Sequence, residues 1–169
     1  MPDTKSRDAA RTATLLYLRD NELREGIELL FYAYRDFTSD PDTILETYGY
    51  GRAHHRVIHF VGRHPGITVA ELLAILRITK QSLGRVLKKL VEDGLIHQSI
   101  GREDRRQRQL TLTDNGLALE NALSKPQRDR VARAYREAGP EAVAGYRRVL
   151  EGLINPDERR EILKRIEAD

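Results

Sequence analysis

The sequence predicts a mainly α-helical fold carrying one small β-hairpin. Three observations predict it. Apolar residues recur at helical spacing through most of the 169 residues, in a chain that is 33% charged and only 6% aromatic. Capping residues and glycine or proline stops divide these stripes into separate helices. After Gly94 the period changes, and two short strand-like runs flank the charged segment GREDRRQR, residues 101–108.

Each element has its own signal. A short helix is expected around Ala9 to Leu18. Asp20-Asn21-Glu22 opens a firmer one, with Leu23, Ile27, Leu30, Phe31 and Tyr34 on one stripe, and Ser39-Asp40-Pro41 ends it in a turn. Gly49 and Gly51 precede a helix from about Arg52 to Arg63, stopped by Pro65-Gly66. Thr68 starts the next helix, and Glu71 three residues on makes a capping box that satisfies two orphan backbone donors. Its apolar stripe is Val69, Leu72, Leu73 and Leu76. Thr79 caps a helix whose buried stripe is Leu83, Val86, Leu87, Leu90 and Val91, and Gly94 ends it in a left-handed conformation. The runs Leu95 to Ile100 and Gln109 to Thr113 form the hairpin, with Thr111 alternating between Leu110 and Leu112. Thr113-Asp114 then caps a long helix carrying Leu117, Leu119 and Leu123, which Pro126 should bend or interrupt. Another helix follows Gly139-Pro140, with Ala142, Tyr146, Val149, Leu150 and Leu153 apolar. Asn155-Pro156 starts the last, with Ile162, Leu163 and Ile166 on one face.

Composition narrows the chemistry. The length suits one domain with a proper core and no cross-links. Cysteine is absent, which excludes disulfides, thiol nucleophiles and cysteine redox switches. The N-terminal segment lacks the apolar core of a signal peptide, and no apolar run approaches membrane-spanning length, so a cytoplasmic protein without membrane partners is expected. The formal net charge of +3 says little, but its distribution is uneven. Between Arg77 and Arg108 nine basic side chains face four acidic ones, a net of +5, whereas residues 1–50 hold ten acidic and six basic side chains, a net of −4.

The basic window has the parts of a DNA-reading surface. With its apolar stripe turned inward, the helix after Thr79 leaves Lys80, Gln81, Gly84, Arg85 and Lys88 outside. Gln81 suits adenine and Arg85 guanine in the major groove, because each offers paired hydrogen bonds to one base edge. Gly84 would let the backbone approach the groove edge. Lys88 and Lys89 suit phosphates, and Ser82 with the amides at the helix start could donate to one. Arg102, Arg105, Arg106 and Arg108 crowd the hairpin tip, where weakly hydrated guanidinium groups suit a narrow minor groove. Asp104 could aim Arg106 through a salt bridge of little stabilising value. Helix, turn, helix and basic hairpin in this order make a winged helix-turn-helix.

From about Gly51 to Gly116 the chain resembles the multiple-antibiotic-resistance regulator (MarR) family of bacterial transcription factors. The segments that carry the likeness are ITVAELLAIL, ITKQSLGRVLKKLVEDGLI and GREDRRQRQLTLTDNG. The family's wing pairs an aspartate with an arginine two positions later, here Asp104 and Arg106, and closes with leucine–threonine and a glycine, here Leu112, Thr113 and Gly116. Arg102 and Glu103 depart from its usual proline or arginine. The resemblance implies a homodimer built from residues 1–50 and 114–169, around a DNA-binding lobe over residues 51–113, with the helix after Asn155 an addition that enlarges the dimer interface. It implies a repressor that binds an inverted repeat, with recognition helices about 34 Å apart. Release by a small, often aromatic and anionic effector is also implied, from a pocket whose neighbourhood would include Tyr32, Arg35, His55 and His59.

Other readings remain at this point. His55 and His59 are four apart on one helix, a spacing that can grip a metal, and a metal-responsive regulator is one alternative. No third ligand falls in register, so the pair also reads as a polar helix face, and no cofactor or metal is expected. Tyr32, Tyr34, Tyr48 and Tyr50 could line a phenol-sized pocket or serve as core and interface aromatics. A winged-helix interaction module that does not read DNA is another alternative. No phosphate-cradling glycine loop or nucleophile elbow is present, and Glu71 is spoken for by capping, so no enzyme is expected.

Overall fold

Two threonines start the helices of the central motif as their spacing predicts. Thr68 Oγ1 accepts from the Glu71 amide at 3.2 Å while Glu71 accepts from the Thr68 amide at 2.8 Å, and Thr79 Oγ1 accepts from the Ser82 amide at 3.1 Å. The computed structural model describes residues 16–101 and 107–167. The chain divides into two compact units, Met1–Ser39 and Asp40–Asp169.

The first unit holds a 3-10 turn, Leu16–Leu18, and helix α1, Asp20–Ser39. No residue of α1 is buried. Its expected stripe forms, and Leu23, Ile27, Leu30, Phe31 and Tyr34 are all exposed. The rest of the expected Ala9–Leu18 helix lies outside the described residues.

The second unit contains α2 (Asp42–Thr47), α3 (Arg52–Arg63), β1 (Ile67–Thr68), α4 (Val69–Leu76), α5 (Lys80–Glu92), β2 (Ile96–Ile100), β3 (Arg108–Leu112), α6 (Asp114–Leu153) and α7 (Pro156–Glu167). The strands form an antiparallel sheet in the order β1-β3-β2, with Ile67 opposite Leu110 and Ile96 opposite Leu112. Helix α3 is the hub and packs against α4, α5, α6 and β3. Val57, Ile58 and Val61 of α3 are fully buried with Leu72, Leu83, Leu90, Leu110 and Leu123. Fully burying such a side chain contributes about 1.5–3 kcal/mol, so this cluster dominates the stability of the unit. A bidentate pair from Arg130 to Asp40, at 2.6 and 2.7 Å, ties α6 to the segment before α2.

Several details differ from the sequence expectation. Pro126 does not interrupt α6; the only break falls at Gly139, where the sequence already expects one helix to give way to the next, and its φ of 80° and ψ of 168° are reached without strain by glycine alone. Leu119 and Leu123 are buried just before Pro126, and that packing outweighs the single backbone hydrogen bond the ring removes. Val91 is exposed rather than buried, because it lies at the edge of the stripe centred on Leu83, Leu87 and Leu90. Arg108 opens β3, opposite Ile100, instead of belonging to the hairpin tip. Helix α2 and strand β1 carry too few residues to show a period.

Candidate nucleic-acid interface

Helix α5 is oriented by burial of Leu83, Val86, Leu87 and Leu90. The same helix therefore turns Lys80, Gln81, Gly84, Arg85, Lys88 and Lys89 outward, all exposed, with Thr79 exposed at the cap and Ser82 half-buried. Ser82 Oγ accepts from Thr79 Oγ1 at 2.9 Å, which leaves the Ser82 hydroxyl hydrogen as a donor. A side chain on Gly84 would meet nothing within 4 Å, so packing gives no reason for glycine there. A mid-helix glycine costs about 1 kcal/mol relative to alanine, and that cost has no structural return in this chain.

The two lysines differ. Lys88 stands 3.8 Å from Glu92 with its side chain largely exposed. Lys89 contacts Asp93 at 2.7 Å and lies 5.6 Å from the Tyr50 ring centroid. The Tyr50 hydroxyl donates to Asp93 at 2.5 Å, and the buried ring stacks on His54 at 4.8 Å. Hydrogen bonds from Lys89 and then Tyr50 hold the Asp93 carboxyl below its usual range, while burial and then Asp93 push the Tyr50 hydroxyl up. This cluster fixes the C-terminal end of α5 against the start of α3. The sequence reading placed Lys89 among phosphate contacts and passed over Asp93, since nothing in the chain pairs it with Tyr50 across 43 positions.

The base of the wing is built from backbone contacts. Gly94, with φ of 71°, turns the chain from α5 into β2. Thr113 Oγ1 donates to the Gly94 carbonyl at 2.6 Å and accepts from the Gly116 amide at 3.1 Å, and the Thr113 amide donates to the Leu95 carbonyl at 3.0 Å. A Cβ on Gly116 would stand 2.1 Å from the Leu95 carbonyl oxygen, so only glycine fits there. That contact is the physical reason for a threonine and a glycine three apart after the wing. Toward the tip, the Gly101 amide donates to the Gln107 carbonyl at 3.0 Å, and Arg108 is exposed on β3. Arg102, Asp104, Arg105 and Arg106 lie outside the described residues.

The effector candidates fall in different units. Tyr32 and Arg35 are on α1, with the Arg35 guanidinium 4.9 Å from the Tyr32 ring centroid and its Nε 2.7 Å from Asp36. His55 and His59 are half-buried on α3, and His59 Nδ1 is 3.6 Å from Glu120. Burial, more than any neighbouring charge, lowers the pKa of both imidazoles. Among the described residues no three histidines or carboxylates gather to hold a metal. No described helix is long and apolar enough to cross a membrane.

This arrangement has relatives. A family model for the MarR family matches residues 48–107. The helix-turn-helix transcriptional regulator PetP of Rhodobacter capsulatus is 56% identical over 147 residues, covering 87% of this chain and 89% of that protein. FabT of Streptococcus pneumoniae, solved in complex with DNA, superimposes with a TM-score of 0.63 at 18% identity over 78% of this chain and 94% of its own. A mutant MarR from E. coli complexed with operator DNA gives 0.61 at 20% identity, covering 83% of this chain and 99% of its own. At these identities the two structures speak for the fold, while the match to PetP carries the assignment. The chain belongs to the MarR family of helix-turn-helix transcription regulators.

Proposed function

We propose that this protein acts as a homodimer that represses transcription by binding an inverted-repeat operator in duplex DNA. The outward face of α5 carries the reading. Thr79, Lys80, Gln81, Ser82, Gly84, Arg85 and Lys88 share one side of a helix whose other side is locked into the core. In this reading Gln81 and Arg85 meet base edges, Lys80, Lys88 and Lys89 meet phosphates, and Arg102, Arg105, Arg106 and Arg108 of the wing enter the minor groove with Asp104 aiming Arg106. FabT and the E. coli MarR, both solved with DNA, support it as relatives in fold. Homodimerisation is supported by the exposed apolar stripe of α1 and by exposed Tyr146, Val149 and Leu153 on α6. Release by a small aromatic anion, with Tyr32, Arg35, His55 and His59 as contacts, completes the reading and rests on family membership.

Selection of bound duplexes from a random pool tests the proposal, followed by affinity measurements on the selected site. Changing Arg85 to alanine should weaken that site by about 1–3 kcal/mol and relax preference at one base pair per half-site. Lys88→Ala should weaken all duplexes alike and lower the salt slope by about one per subunit. Recovery of no preferred sequence, together with salt-independent binding, would refute operator reading.

A further inference from the structure

Arg77 ends α4 in the left-handed conformation, with φ of 51° and ψ of 41°, and is the sole non-glycine residue with positive φ among those described. Glycine or asparagine is favoured at such a position. What arginine adds is reach. Its guanidinium pairs with the Glu158 carboxylate in the first turn of α7, a partner 81 positions away. Arg77 belongs to the turn of the helix-turn-helix, two residues before the Thr79 cap of α5.

The first turn of α7 is itself anchored. Arg159 donates to the Gly152 and Ile154 carbonyls, both at 3.0 Å, which caps the end of α6. The Asn155 carbonyl accepts from the Glu158 and Arg159 amides at 3.1 and 3.0 Å. A cavity of about 780 Å³ lies between α7 and helices α3 and α4, and the Arg77–Glu158 pair is part of its lining together with Phe60, Ile75, Ile162 and Ile166. Close packing would have filled this space, so the helix bridges to the lobe through side-chain tips. Both members of the pair are partly exposed, at 62% and 41%, and such a pair stabilises little. Its value is geometric.

We propose that Glu158 is a positioning residue for DNA binding: by holding Arg77 it fixes the turn between α4 and α5, so that α7 sets how the recognition helix is presented to the groove. The inference rests on the operator-binding reading above. It also predicts an effect opposite in sign to simple electrostatics. Neutralising a carboxylate near a DNA-binding surface raises affinity through reduced repulsion. Loss of a positioning contact lowers it.

The test compares wild type, Glu158→Gln, Arg77→Gly and the double variant on the selected duplex, with thermal unfolding and molar mass measured alongside. Glycine keeps the left-handed backbone comfortable while removing the guanidinium. Glu158→Gln should bind about three- to tenfold more weakly with an unchanged salt slope and unchanged molar mass. Arg77→Gly should bind no more tightly than Glu158→Gln, and the double variant should match Arg77→Gly, since both changes remove one contact. Binding by Glu158→Gln that equals or exceeds wild type overturns the proposal. A changed molar mass would also overturn it, by making Glu158 an assembly contact. If the wild type itself selects no duplex, the operator reading has failed instead, and the two failures are told apart by that control.

Discussion

Helix α5 and helix α1 carry apolar stripes of similar strength and opposite fate. In α5 the stripe of Leu83, Val86, Leu87 and Leu90 is buried within its own chain, and the polar face is left over for a partner. In α1 the stripe of Leu23, Ile27, Leu30, Phe31 and Tyr34 remains exposed, so it is the apolar face that is left over. A helix that finishes its core presents charge to the outside. One that does not presents a hydrophobic surface, which soluble monomers rarely leave in a contiguous patch. The first suits a polyanion and the second another protein surface, here proposed to be a second copy.

Four substitutions or conditions would break or sharpen this contrast. Gly116→Ala should have the largest effect, because its methyl group would collide with the Leu95 carbonyl at the base of the wing. A loss of about 2–3 kcal/mol in denaturant unfolding is expected; an unchanged midpoint would mean that the wing base is not rigid. Next, Ile27→Glu on α1 should dissociate the proposed dimer, with about 1.5–3 kcal/mol lost for each apolar side chain no longer buried. Sedimentation should show the shift toward monomer, and persistence of the dimer would remove α1 from the interface.

Gly84→Ala is a smaller perturbation that divides folding from binding. The added methyl group meets open space, so stability should rise by about 0.5–1 kcal/mol while operator affinity falls. Improved stability with equal affinity would show that the backbone does not come close to the DNA there. The smallest effect concerns pH. His54, His55, His59 and His64 all have pKa values below the ordinary 6.5, chiefly because burial disfavours their charged forms. The unfolded chain then binds more protons than the folded one near pH 6, so stability present above that range is lost as pH falls through it. These residues lie on α3 or at its C-terminal cap, whereas α1 has none. Thermal midpoints of the unit Asp40–Asp169 should therefore drop between about pH 7.5 and about pH 5.5, and a midpoint that rises instead would contradict the assigned direction.

Local signals explain why much of this was legible. Thr68 with Glu71, Thr79 and Gly94 each act on backbone groups within a few residues, so their roles can be read along the chain and reappear as hydrogen bonds and left-handed backbone. The outward face of α5 was legible for the same reason, since period alone separates it from the buried stripe. Pro126 does not interrupt its helix because its cost is local and its remedy is not: Leu119 and Leu123 bury themselves against other elements of the unit. The contact of the Lys89–Asp93 pair with Tyr50 was not legible, since Tyr50 lies 43 positions from Asp93.

By itself, the sequence determined the longer helices, the threonine caps of α4, α5 and α6, the hinge into the wing and the residues α5 turns outward, because these follow from hydrogen bonding and periodicity over spans shorter than a dozen residues. Tertiary structure decided which apolar stripe would be covered and why Gly116 admits no side chain. It also decided that an arginine in a left-handed turn would meet a glutamate near the end of the chain. Those outcomes depend on which surfaces meet across tens of residues, and no local preference encodes that distance.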